Sequence, residues 1–239
     1  MASNYITNVA IAGRQQRHSG SIMTEALLKT AARRRDSQAN RLQQTETIVE
    51  ALKGQDALII ALSGLAPHGI DMTLIQAAGD AGDLVVFQSK GNQQQNLVSY
   101  IAVSTGFWYE WSLAILSAFG IDFAKRTVTL FDEGEAKIPT STWPQVGRTG
   151  AGLLSMPIKA EGGNGACLEN LKNQVVYADS FTVSQKDMLE SAFRVAGTTE
   201  KDWTITKESA KERYENSAKE MKQGDRIEAA IERSKSTTW

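Results

Sequence analysis

The sequence predicts an α/β fold: a parallel sheet of reduced strand number with helices on both faces, followed by a small α+β region. Three observations predict it. Short, continuously apolar runs recur through the first hundred or so residues, as in "NVAIAG", "DALIIALS", "DLVVFQS" and "SYIAVSTGF". Strands apolar along their whole length are those buried on both faces of a parallel sheet. Helix-prone stretches separate them, and after Gly106 the chain turns aromatic-rich and alternating. We therefore divide it into 1–105, a parallel-sheet domain, and 106–239, a mixed region with some elements packing back on the sheet.

The elements follow in order. Val9 to Ala12 forms a short strand that ends at Gly13, and Ile22 to Lys29 has helical spacing, with Ser19 or Ser21 placed to cap it. In "TETIVEALKG" Ile48, Val49 and Leu52 line one helical face and Gly54 stops the helix. "DALIIALS" is the next strand. "MTLIQAAGDAG" is a helix ending in glycine, and "DLVVFQS" and "SYIAVSTGF" are strands. "RTVTLFDEGEAKIPTSTW" alternates like a hairpin, and "PQVGRTGAGLLSMP" returns to helix. A strand around Val175 to Tyr177 precedes a helix capped by Ser184 and stopped by Gly197. From Lys201 onward the charged, helix-prone sequence suggests two surface helices.

Composition narrows the function. Cys167 is the single cysteine, so no intramolecular disulfide forms, and with only His18 and His68 besides, a metal site is not expected. Lys and Arg number 26 against 27 Asp and Glu. A chain so near neutrality has no global field to draw in nucleic acid or an anionic membrane. No apolar run approaches the roughly 20 residues of a membrane span, and "MASNYITN" lacks the pattern of a secretory signal. A cytoplasmic protein without nucleic-acid or membrane partners is expected.

The stretch "GRQQRHSG", Gly13 to Gly20, stands where a dinucleotide-binding turn would. Such turns use glycine to leave the strand tightly, to let backbone approach the pyrophosphate, and to pack helix on sheet. Gly13 and Gly20 suit the first and third uses; no glycine stands between them for the second. A helix N-terminus still attracts an anion, and Arg14 and Arg17 add charge. A plain strand-to-helix loop is the alternative. Ser-His-Asp, Walker-type and zinc arrangements find no support in the spacing, and Asp132, Glu133 and Glu135 in "FDEGEAK" read as a solvated turn.

The chain resembles the fungal NmrA-like and isoflavone-reductase-like proteins, atypical members of the short-chain dehydrogenase superfamily. The resemblance rests on "EALLK", "VEALKGQDALIIALS", "LIQAAGDAG", "SYIAVSTGFWYEWSL" and "VYADSFTVSQKDMLESAFRVAG". It implies an NADP-preferring Rossmann fold with a small C-terminal substrate domain, acting as an NADPH-dependent oxidoreductase on a small aromatic or unsaturated substrate. By the same resemblance Gly13 and Gly20 look like the first and third glycines of the family turn, with one inserted residue and Gln16 near the second. Arg34 or Arg35 looks like the arginine that pairs the 2′-phosphate, and Ser63 marks where backbone passes the cofactor. Lys90 looks like the lysine placed near the nicotinamide, for orientation or proton transfer. Phe107 and Trp108, with Tyr109 and Trp111, would floor the substrate pocket; core packing is their other reading. Some family members are non-catalytic, so an NADP-sensing regulator with a protein partner, or a degenerate inactive form, stays open.

The resemblance also brings out shortfalls. Between Lys29 and Thr45 stands only "TAARRRDSQANRLQQ", with no apolar strand, although a mononucleotide-binding half needs three parallel strands. Only "GNQQQNL" separates Lys90 from the next strand, where the family has a helix of about three turns. Weakened cofactor binding is the expectation.

Overall fold

The computed structural model describes residues 3–13, 45–62, 69–82, 84–88, 98–160, 162 and 165–222. In chain order the elements are β1 (Val9–Ala12), α1 (Thr45–Leu52), β2 (Ala57–Ile60), α2 (Ile70–Ala81), β3 (Val85–Gln88), β4 (Ser99–Ser104), β5 (Phe107–Trp108), α3 (Tyr109–Leu113) and α4 (Leu116–Phe119). There follow β6 (Ile121–Asp122), β7 (Thr127–Phe131), β8 (Ile138–Ser141), α5 (Trp143–Leu154), β9 (Gln174–Tyr177), β10 (Phe181–Val183), α6 (Gln185–Ala196), β11 (Thr204–Glu208) and α7 (Ala210–Lys222). The chain divides into two compact units, Met1–Gly106 with Ser141–Ser180, and Phe107–Thr140 with Phe181–Trp239.

The first unit is a Rossmann-like α/β layer structure. Its sheet runs in the order β1-β2-β3-β4-β9, and every neighbouring pair is parallel. The continuous apolar runs explain this directly: all four residues of β2 are buried, because helices cover both faces of the sheet. On one face Ile48 and Leu52 of α1 and Leu74, Ile75, Ala77 and Ala78 of α2 pack on Leu58, Ile60 and Val86. The alanines on α2 let that helix lie close to the strands. On the other face Leu153 and Leu154 of α5 pack with Ala57, Ile59, Phe87 and Ile101, and Ile6 and Leu168 join them. Alternate strand residues therefore feed two separate cores.

Two small sets of hydrogen bonds tie down the chain ahead of β1. The Asp56 carboxylate accepts from the N–H of Thr7 at 2.7 Å and of Asn8 at 2.8 Å, tying the entry of β1 to that of β2. Further on, Ile158 N–H donates to the Asn4 carbonyl at 2.7 Å, so the start of the chain is strapped beside the exit from α5.

The second unit carries two three-stranded sheets, ordered β10-β8-β5 and β11-β7-β6. Its core gathers Phe119, Ile121, Val128, Leu130, Met188, Leu189, Ala192 and Trp203. Helix α6 begins with a capping box: Asp187 N–H donates to Ser184 Oγ, and Ser184 N–H donates to the Asp187 carboxylate at 2.8 Å. The sequence signals at Ser184 and Gly197 mark its ends, as expected.

Two expectations for this unit are corrected. "RTVTLFDEGEAKIPTSTW" does not form a hairpin. Strand β7 is central in its sheet, with β6 antiparallel on one side and β11 parallel on the other, so no edge is left for β8. Strand β8 pairs instead with β10. The stretch after Lys201 is likewise not helical from its start: among the described residues "TITKE" alternates with period two and forms β11, ahead of the helix α7.

Candidate active site at the carboxyl edge of the sheet

In an open parallel sheet, ligands bind outside the carboxyl ends of the strands. In the first unit that edge collects the ends of β1, β2, β3, β4 and β9. At β1 the chain leaves through Gly13, whose φ is 105°. Just before it, the Ala12 carbonyl accepts the Ala61 N–H at 3.0 Å. A Cβ on residue 13 would lie 2.1 Å from the Ala61 oxygen. Only glycine lets the chain cross the end of β2 there.

The ends at the far side of the sheet, those of β4 and β9, carry hydroxyls. Ala178 N–H, just past β9, donates to the Ser104 carbonyl at the end of β4, at 3.0 Å. Ser141, fully buried, donates from Oγ to the Ala178 carbonyl at 3.3 Å, and Thr142 N–H donates to Ser180 Oγ at 3.2 Å. Thr142 is the N-cap of α5, so the start of that helix stands at this same edge, its dipole presenting a positive end. The edge thus offers a tight glycine exit, three hydroxyl side chains and a helix start. Sequence reasoning missed the Ser141, Thr142 and Ser180 group, although "TSTWP", small hydroxyl residues followed by Pro144 at the second helical position, is a recognisable helix entry.

No family model matches the chain. A curated relative, the oxidoreductase poxI of Penicillium oxalicum, is 23% identical over 208 residues, which is 75% of this chain and 62% of the relative. The chain thus spans less than two thirds of the relative's length. Among solved structures, those of the pinoresinol-lariciresinol and phenylcoumaran benzylic ether reductases match 94% of this chain and 85% of theirs, with a TM-score of 0.68 at 16% identity. Isoflavone reductase matches 90% and 82%, with a TM-score of 0.61 at 15% identity. Triphenylmethane reductase from Citrobacter sp., in complex with NADP(H), matches 89% and 84%, with a TM-score of 0.60 at 12% identity. The chain has the isoflavone-reductase-like fold.

On that fold the sequence-derived residues fall as follows. Gly13 lies at the carboxyl edge. Its need for glycine is met by the contact with β2, which is the tight-exit use rather than the close-approach use. Gln16, Gly20, Arg34, Arg35, Ser63 and Lys90 lie outside the described residues, as do His18, His68 and the helix expected over 22–29. Among the described residues β1 pairs with β2 alone. The chain between Lys29 and Thr45, where the sequence lacks an apolar strand, is also outside them.

Phe107 and Trp108 form β5, in the second unit. Phe107 is half exposed, with its ring 5.7 Å from that of Phe119. Tyr109 opens α3 and meets Phe181 edge-on at 5.5 Å; burial raises its phenol above the ordinary tyrosine range. The acidic turn is a surface loop bound to its surroundings. Asp132 accepts the Ala210 N–H at 3.0 Å, Glu133 pairs with Lys207 at 2.5 Å, and Glu135 pairs with Lys186 at 2.7 Å. The hydrogen bond from Lys207 holds Glu133 below the ordinary glutamate range. Among the described residues no three His, Cys, Asp or Glu gather as for a metal, and no helix is long and apolar enough to cross a membrane.

Proposed function

We propose that the chain is an NADPH-dependent reductase of a small aromatic or unsaturated molecule, acting in the cytoplasm and binding its cofactor more weakly than longer relatives do. The observation that carries this is Gly13: a strand of an all-parallel sheet ends at the carboxyl edge on a glycine held at φ 105° against the next strand's backbone. The triphenylmethane reductase that shares the fold is a complex with NADP(H), which supports a dinucleotide at that exit.

In this reading Gly13, Gln16 and Gly20 take the pyrophosphate, Arg34 or Arg35 takes the 2′-phosphate, and Ser63 adds a further cofactor contact. Bound NADPH supplies a hydride. Lys90, two residues past the end of β3, orients the cofactor's hydroxyls or delivers the proton that completes the reduction. Phe107 and Trp108 supply flat apolar surface to the substrate.

Titration of the purified chain with NADPH, followed by fluorescence and thermal melting, tests the reading. A hundredfold excess over Kd stabilises the native state by about 2.7 kcal/mol. The absence of any melting shift at millimolar NADPH refutes cofactor binding and the reductase with it. Given binding, Lys90→Ala keeps the melting shift and loses turnover; unchanged turnover removes Lys90 from the reaction.

A further inference from the structure

Strand β9 ends the five-stranded sheet: among the described residues it pairs with β4 alone. Ala178 N–H donates to the Ser104 carbonyl, and Ser104 stands opposite Tyr177. In a parallel ladder this assigns the backbone groups of Val176 and Ala178 to β4, and it turns the N–H and C=O of Val175 and Tyr177 toward the open edge. The side chains of these two residues leave the face opposite Val176, which packs into the core beneath α5. Val175 is 44% exposed and Tyr177 79%. Edge strands that must remain single carry lysine, proline or a bulge. Gln174–Tyr177, "QVVY", carries neither lysine nor proline.

We propose that β9 is the seam of a homodimer, pairing antiparallel with β9 of a second copy across a two-fold axis at Val176. In that register Val175 opposes the partner subunit's Tyr177, and Tyr177 opposes the partner subunit's Val175. Each is a hydrogen-bonded pair that exchanges both N–H···O=C bonds, and each sets an aromatic ring against a β-branched side chain. Charge selects the occupant. Lys172, exposed, precedes the strand, and Asp179, also exposed, follows it. Antiparallel pairing brings the cationic end of each strand beside the anionic end of the other, whereas parallel pairing would set like against like. A second copy of the chain satisfies backbone, side chains and charge together, and the contact is isologous, as a two-fold interface requires.

Sedimentation of the full chain across a concentration series up to about 100 µM tests this through mass action. The expected result is a mass rising from monomer to dimer and no further. Tyr177→Lys and Val175→Lys each leave a monomer throughout, with the circular dichroism of the parent. Tyr177→Ser, at a mostly exposed position, gives the same result should either lysine variant misfold. Lys172→Glu weakens the dimer, and Lys172→Glu with Asp179→Lys restores it. A parent chain that stays monomeric at the highest concentration overturns the proposal. So does a dimer that survives Tyr177→Lys, or an assembly that grows beyond two copies.

Discussion

Replacing Gly13 by alanine probes the strand exit on which the functional reading rests. Two costs combine. At φ 105° a residue with a Cβ is strained, by about 1–2 kcal/mol for a left-handed conformation. The added carbon would also stand 2.1 Å from the Ala61 oxygen, where real Cβ atoms keep at least 3.0 Å, so the strand ends must part by the 0.9 Å difference. Parting them weakens the 3.0 Å bond from Ala61 N–H to the Ala12 carbonyl, worth about 1 kcal/mol net. The sum is about 2–3 kcal/mol, a sizeable part of a domain's usual 5–15 kcal/mol. Gly54→Ala is the control, because Gly54 has φ 74° and nothing within 4 Å of the added Cβ. It carries the dihedral cost without the clash. Urea unfolding followed by circular dichroism measures both. Gly13→Ala should unfold at clearly lower urea than Gly54→Ala, and it should weaken NADPH binding as well. Equal midpoints for the two variants would show that β1 and β2 relax around the methyl, and the glycine would then need another explanation.

Two further predictions concern the second unit. Gln185 is almost fully buried; its amide accepts from Phe131 N–H at 2.7 Å and donates to the carbonyls of Phe119 at 2.9 Å and Thr129 at 3.0 Å. Gln185→Ala strands three backbone groups and should cost about 3–5 kcal/mol in urea unfolding. Gln185→Glu should not rescue it, since a carboxylate cannot donate to two carbonyls; wild-type stability in both variants would refute the assignment. The Asp187 carboxyl is held below the ordinary aspartate range by hydrogen bonds from Ser184, first its backbone N–H and then its hydroxyl, and Asp202 is held down in the same way by Thr199. A carboxylate with a depressed folded-state pKa stabilises the fold above its unfolded pKa, and that stability is lost as pH falls below about 4. Thermal melts from pH 6 to pH 2 should show a steeper acid loss for the parent than for Asp187→Asn; parallel curves would refute it.

How much was legible in the sequence depends on whether a local pattern or a distant partner decides the structure. The spacing of Ile48 and Leu52 marked α1 because one helix face meets one core. The apolar run of β2 marked a doubly covered strand, and Ser184 marked a helix start because its capping contacts reach only three residues along the chain. Strand β7 was recognised, but not its partners. Its neighbour β11 lies more than seventy residues later, within a charged stretch whose helix propensity hid the alternation of "TITKE". Gln185 was invisible for the same reason: its three partners belong to residues 119, 129 and 131, and nothing beside it in the sequence announces them. Of the candidate site, Gly13 was legible because strand exits impose backbone geometry locally. The hydroxyl group of Ser141, Thr142 and Ser180 exists only because α5 begins where β9 ends.

That contrast separates stability from function along the first unit. Its two cores are built mainly from residues within β1 to β4 and from helix faces, whereas the proposed cofactor contacts follow strand ends: Gly13 directly after β1, Ser63 three residues past β2, Lys90 two residues past β3. A residue beyond a strand end adds little to the apolar burial that holds the sheet, so its substitution acts mainly on binding. Gly13 is the exception, since the backbone it frees serves both the exit toward the cofactor and the packing of β1 on β2. Arg34→Ala and Arg35→Ala should therefore lower NADPH affinity with the melting temperature of the free chain unchanged, while Gly13→Ala lowers both. If the arginine variants instead lose stability and retain affinity, these residues support the sheet and the 2′-phosphate is held by other groups.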